Sequence, residues 1–436
     1  MERNRDTIKY NYMKNLFTVA VSLLLVGCGS ATQPQEKSCP VVRTGIEVLR
    51  SNGFENLKGK SVGLVTNPTG VDRELNSTVD ILANAEGVKL VALYGPEHGV
   101  RGDVHGGGFV DSSVDPVTGV PVFSLYGATR KPTKEMLEGI DVIVYDIQDN
   151  GCRSYTYIST LGLLMEAAAE FDKELVVLDR PNPLGGNKVE GCYVEPGYFS
   201  FVSQFKIPYL YGLTVGELAT LLNEEGLVTG EKGDKEPVRC KLTVIPMEGW
   251  HRDMLYADTK LPWVLPSPHI PQPESALYYP ASGILGELNY ISIGVGYTLP
   301  FQIFVAPWID ARELADKLDA QQMEGVRFRP LYVQPFYSVY KGETCGGVQV
   351  YLTDFNKANL TAIQFKVLEA IAELYPDKKV FDNANDKRYN MFDKVCGTNY
   401  IRETFSKNNK YADIKEYWNK DVAAFRELSA KYYLYD

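Results

Sequence analysis

Apolar residues gather into short runs along the first half of the chain, at 61–66, 90–94, 120–125, 142–147 and 175–178. The runs are near-continuous rather than alternating, as in strands covered on both faces. Between them the spacing lengthens. In 159–171, Leu161, Leu164, Met165 and Ala168 fall at i, i+3, i+4 and i+7, one face of a helix. Strand alternating with helix predicts an α/β chain with a doubly wound, mainly parallel sheet. The pattern breaks at 261–273, where prolines at 262, 266, 268, 271 and 273 disfavour regular structure in their own and the preceding residues. Beyond it come strand-like runs at 301–306 and 347–352 and helical stripes at 360–375 and 414–433, a second, smaller α+β domain. The expected division is an α/β domain over 44–265 and a smaller C-terminal α+β domain over 266–436.

The N-terminus has a different pattern. Lys14 precedes an apolar stretch from Leu16 to Gly27, too short to span a bilayer and suited to the apolar region of a signal peptide. It ends Leu25-Val26-Gly27-Cys28, which resembles the lipobox of bacterial lipoproteins, and a small, polar tether follows. The expectation is a lipoprotein signal peptide over 1–27, a tether over 28–43, and lipid on Cys28. The protein would then lie in the cell envelope, lipid-anchored, on the periplasmic or outer-membrane side. Removing 1–27 takes four Lys/Arg and two Asp/Glu with it, moving the formal charge from −10 to −12. So acidic a body argues against nucleic acid as a partner. Cysteines at 39, 152, 192, 240, 345 and 396 show no Cys-x-x-Cys spacing; export permits disulfides, and buried free thiols fit equally.

Chemistry-bearing residues cluster where the predicted strands end. The first runs into Asn67-Pro68-Thr69-Gly70, the second into Gly95-Pro96-Glu97-His98 with Arg101 close by. The fourth leads into Gln148-Asp149 and on to Arg153, Tyr155 and Tyr157, and the fifth into Asp179-Arg180-Pro181-Asn182. In open α/β sheets the carboxyl ends of the strands are where ligands bind. Asp, Asn and Arg hydrogen bonding beside tyrosine faces suits a carbohydrate. Glycoside cleavage needs one carboxyl group to protonate the leaving oxygen and a second group on the other side. Glu97 is the candidate acid, with His98 beside it; Asp149, Asp179 and Glu195 are candidates for the second group. Asp149 could instead pair with Arg153, and Asp179 could hold the turn through Asn182. A metal alternative rests on His98, Asp103, His105, Asp111 and Asp115, but their spacing matches no compact ligand set. No phosphate loop and no Gly-x-Ser-x-Gly elbow occurs, and neither a cofactor nor a resident metal is expected.

These stretches resemble the bacterial exo-β-N-acetylmuramidase family, formerly a domain of unknown function. The matching segments are Thr66–Gly70, Gly95–Gly99, Tyr145–Asp149 with Arg153, Tyr155 and Tyr157, Asp179–Pro183, Val189–Gly191 with Glu195-Pro196, Pro266–Pro268, Gly347–Gln349 and the closing Trp418–Tyr435 stretch. The resemblance implies a Rossmann-like domain, a smaller second domain and a cleft between them. It also implies release of N-acetylmuramic acid from the non-reducing ends of peptidoglycan fragments, with Glu97 at the catalytic carboxylate. Asn67, Arg101, Arg153, Tyr155, Tyr157, Asp179, Asn182, Glu195 and His269 are the expected substrate contacts. The family's Ser-Glu-Gly-Arg-Gly-Thr is here Ser292-Ile293-Gly294-Val295-Gly296-Tyr297, and His269 stands where Asn is expected. The departure removes an arginine suited to the lactyl carboxylate of muramic acid. A second reading therefore stays open, a non-catalytic cell-surface lipoprotein that binds a glycan in the same cleft.

Overall fold

A seven-stranded sheet forms the larger part of the protein, in a computed structural model that describes residues 41–97, 99–102 and 113–436. Its strands are β1 (Ser61–Thr66), β2 (Lys89–Gly95), β3 (Ser113–Val114), β4 (Pro121–Ser124), β5 (Val142–Asp146), β6 (Glu174–Leu178) and β7 (Lys241–Ile245), in the order β3-β4-β2-β1-β5-β6-β7. All neighbours run parallel except β3 and β4. The chain winds outward from β1 in one direction through β2 and β4, then returns to lay β5, β6 and β7 on the other side. The topological switch point is therefore the crevice between the carboxyl ends of β1 and β5.

The apolar runs became strands because both faces are covered. β5 is buried throughout, and one layer of core packs the helix Gly45–Ser51 against Val62, Leu64, Val142 and Val176. The opposite layer sets the helices Tyr157–Glu170 and Val215–Glu224 against Val65, Ile143, Tyr145 and Val177. β7 was not apparent in the sequence: Lys241-Leu-Thr-Val-Ile is a half-buried edge strand without a long apolar run. Residues 261–272 are irregular, and Pro273 begins the helix Pro273–Gly286, where a missing N–H costs nothing.

The smaller sheet is antiparallel, in the order β8-β10-β9, with β8 (Ile303–Ala306), β9 (Val326–Val333) and β10 (Cys345–Leu352). β9, not read from the sequence, carries Pro330, a residue that central strands avoid. One face of this sheet packs on the helices Ala311–Asp319 and Leu360–Leu374; Tyr297, Leu299 and Tyr340 pack on the other. The closing helix expected at 414–433 is two, Ala412–Trp418 and Val422–Ser429. Residues Val41–Asp436 form one compact unit. Among the described residues no helix is long and apolar enough to cross a membrane, and Cys152, Cys192, Cys240, Cys345 and Cys396 are free thiols. The signal peptide, Cys28, Cys39, His98 and most of the metal alternative lie outside the described residues.

Candidate active site

The ends of β1 and β5 are tied together at the switch point by short-range hydrogen bonds. Asn67 Oδ1 accepts from the Thr69 amide at 3.0 Å and from its hydroxyl at 2.5 Å, an Asx turn that stops β1. The Thr69 hydroxyl oxygen in turn accepts from the Gln148 amide at 2.9 Å. The Asn67 side-chain nitrogen is left over and faces the Tyr157 hydroxyl. After β2, Gly95 allows the chain to fold back, since a Cβ there would meet Val100 N at 3.0 Å and Gly99 Cα at 3.1 Å. This tight return presents Glu97, half-buried, to the Tyr126 hydroxyl.

Asp149 follows β5 and is 7% exposed. Its Oδ2 accepts from the Gly151 amide at 2.7 Å and from the Tyr211 hydroxyl, whereas Oδ1 is buried without a partner. Burial raises its pKa to about 6, against the lowering effect of those hydrogen bonds. Gly151 has φ +78° and lies against the Asn182 side chain, so only glycine serves there. Tyr157 is where the three strand ends meet. It faces Asn67 and feels the charges of both Glu97 and Asp149, and burial raises its own pKa. Its hydroxyl donates to the Pro266 carbonyl, while Tyr155 beside it packs edge-on at 5.1 Å and points at Ser267. The wall of the site therefore includes the proline-rich segment.

The unpaired polar atoms mark the site further. Gln148 Oε1, Asp149 Oδ1 and both polar atoms of the Asn150 side chain are buried with no hydrogen-bond partner among the described residues. Each such atom costs about 1–3 kcal/mol. Their concentration at one strand edge is what a site shaped for a polar ligand requires. Tyr126, Gln148, Asn150 and Tyr211 were not singled out from the sequence. Gln148 and Asn150 flank a residue that was, and their burial is the signal that sequence lacks.

Other expected contacts have hydrogen-bond partners within the protein. Arg153 is fully buried, and its guanidinium donates to the carbonyls of Cys192, Ile207, Val395 and Cys396 and to the Ser203 hydroxyl. It does not pair with Asp149. Asp179 accepts from Thr214 Oγ1 at 2.7 Å, Tyr435 Oη at 2.5 Å, the Gly216 amide at 2.8 Å and the Arg180 amide at 3.0 Å, leaving no oxygen for a ligand. Asn182 makes the turn, accepting from the Leu184 amide and donating to the Leu213 carbonyl. Glu195 is held by Lys420, Tyr417 and Thr398. Arg101 forms a bidentate pair with Asp115, at 2.5 and 3.0 Å, and reaches Asp80. Asp115 is thereby held well below the usual carboxylate range, by Arg101 first. His269 Nε2 lies 2.6 Å from the Tyr337 hydroxyl. Among the described residues no cluster of His, Cys, Asp and Glu could hold a metal ion.

Known proteins share this architecture. Residues 62–274 match the family described as exo-beta-N-acetylmuramidase NamZ, N-terminal, and residues 277–435 match its C-terminal counterpart. The chain is 42% identical over 428 residues to the peptidoglycan beta-N-acetylmuramidase NamZ of Bacillus subtilis (strain 168), covering 97% of this chain and all of that one. Two DUF1343 family proteins of Bacteroides fragilis NCTC 9343, with crystal structures at 1.65 and 1.30 Å, superpose with TM-scores of 0.86 and 0.70. Their identities are 60% and 29%, and each comparison covers 91% of this chain and 99% of the other. With both halves matched in order and a full-length relative at this identity, the chain belongs to the exo-β-N-acetylmuramidase family.

Proposed function

We propose that the protein is an exo-acting glycoside hydrolase that releases N-acetylmuramic acid, or a closely related amino sugar, from the non-reducing ends of peptidoglycan fragments. The observation that carries this reading is the strand edge at the switch point, where Thr69 ties Asn67 to Gln148 and Asp149 keeps one buried oxygen without a partner. Glu97 donates its proton to the glycosidic oxygen as the bond to the anomeric carbon breaks. Asp149 supplies the second carboxylate: Tyr211 and Gly151 fix one oxygen, and the unpaired one is available to the sugar or to the attacking water. Asn67, Gln148, Asn150 and Tyr155 offer the donors and acceptors that a sugar's hydroxyl and acetamido groups need. Support for the substrate class comes from the Bacillus relative.

The lipid anchor on Cys28 and residence in the cell envelope belong to the same proposal and rest on the lipobox-like tetrapeptide and the polar tether. A panel of β-glycosides of N-acetylmuramic acid and N-acetylglucosamine tests the activity. Release of N-acetylmuramic acid is the expected result; binding of the sugars without turnover would establish the non-catalytic alternative instead.

A further inference from the structure

Buried, unpaired polar atoms of Gln148, Asp149 and Asn150 follow β5 at the switch point. Leading away from them is the segment 266–269, anchored at one end where the Tyr157 hydroxyl donates to Pro266 and Tyr155 faces Ser267. Its other end, His269, makes a 2.6 Å contact with the Tyr337 hydroxyl. Three residues span at most about 10 Å. At that distance the surface becomes aromatic and open. Phe336 is 56% exposed and Tyr337 45%. The rings of Tyr297 and Phe336 are 5.6 Å apart and tilted by 35°, those of Phe336 and Tyr337 are 6.5 Å apart, and those of His269 and Tyr337 are 6.0 Å apart at 33°.

The loop that carries these rings is built rather than loose. The Phe336 amide donates to Gly296 O at 2.9 Å, and Gly296, at φ +102°, sits so close to the Tyr337 carbonyl that no Cβ fits. Ser338 and Tyr340 hold left-handed conformations, at φ +65° and +61°, that side chains avoid without support. Gly296 belongs to the segment 292–297, where the acid and arginine of the family pattern have become Ile293 and Val295. Ile293 is buried against the helix Pro273–Gly286, and the Tyr297 ring lies tilted against Phe336.

We infer that His269, Tyr297, Phe336 and Tyr337 form a leaving-group subsite, on which the sugar next to the scissile bond lays a pyranose face. The inference rests on the glycosidase reading of the neighbouring site. An exo-acting enzyme must close around the terminal sugar and leave an exit for the rest of the fragment. Here the strand ends present buried polar atoms and the 336–337 surface presents exposed rings. Pyranose C–H faces pack on aromatic rings, and exposed rings held rigid by the backbone lose little freedom on contact. Binding there acts at a distance on the reacting bond, because energy from remote parts of a substrate can be used to orient it.

The test compares two substrates whose leaving groups are both alcohols: the β-1,4 disaccharide of N-acetylmuramic acid and N-acetylglucosamine, and methyl β-N-acetylmuramide, which has no second ring. The wild type should prefer the disaccharide in kcat/KM. Phe336→Ala and Tyr337→Ala should each reduce that preference about tenfold or more, and Phe336→Tyr, which keeps a ring, should retain it. Undiminished preference in folded alanine variants would overturn the subsite and leave the hydrolase reading standing. A wild type that cleaves neither substrate would overturn the hydrolase reading and the subsite with it.

Discussion

Asp149→Asn should make the protein more stable at neutral pH while impairing turnover. The carboxyl group titrates at about 6 in the fold against 3.8 for an ordinary aspartate, because burial opposes its charge. A folded-state pKa raised in this way favours the native state below the unfolded pKa, and that advantage is lost as pH rises through the folded one. The difference is about two units, or roughly 3 kcal/mol at 1.36 kcal/mol per unit. Asparagine mimics the protonated acid: its oxygen can accept from Gly151 and Tyr211, and its nitrogen takes the place of the oxygen that has no partner. Spread over some 400 folded residues, about 3 kcal/mol corresponds to roughly 4 °C in Tm. Thermal melts of both proteins should agree near pH 4, diverge between pH 4 and 6, and show the variant ahead by that amount at pH 7–8. Activity runs the other way. If Asp149 acts ionised, kcat/KM of the wild type rises with pH through about 6, and the variant lacks that limb. A variant equal to or less stable than the wild type at pH 8 would refute the argument that this buried charge is kept for function.

Glu97→Gln removes the acidic proton but keeps the shape, and turnover of the disaccharide should fall by about 10²–10⁴. An aryl glycoside with a good leaving group should recover much of the loss, and a native rate on the disaccharide would exclude Glu97 from the mechanism. Arg153→Met should destabilise by roughly 3–5 kcal/mol, since buried carbonyls of four residues lose their donor at once; a denaturation midpoint like that of the wild type would show those bonds to be dispensable. Cys28→Ser should move the protein from the membrane fraction to the soluble fraction, and unchanged partitioning would rule out the anchor.

The parallel strands and their polar carboxyl ends were legible because both-face burial leaves continuous apolar runs, and because parallel topology puts every strand end on one rim. That reasoning placed Asn67, Glu97, Asp149, Tyr155 and Tyr157 together. It could not separate them from Arg153, Asp179 and Asn182, which sit on the same rim and have the same chemistry. The difference is saturation: Asp179 has four donors on its two oxygens, whereas Asp149 keeps one oxygen bare. Partners such as Tyr435 and Tyr211 are 256 and 62 residues away in sequence, beyond any local pattern. β7 and β9 escaped notice because one is a half-buried edge strand and the other contains a proline.

The two halves matched by separate family models are interlocked rather than adjoined. Arg153 in the first half hangs on carbonyls at 395 and 396, and Tyr435 completes the set of donors on Asp179 beneath β6. A ribosome delivers 153 and 179 long before it delivers 395 or 435. Until then the guanidinium lacks two of its carbonyl acceptors and the carboxylate one of its four donors. The strand edges that carry Glu97 and Asp149 therefore reach their working arrangement late, when the C-terminal segments arrive. Neither half should travel through evolution as a free-standing module, because each carries the other's missing hydrogen bonds.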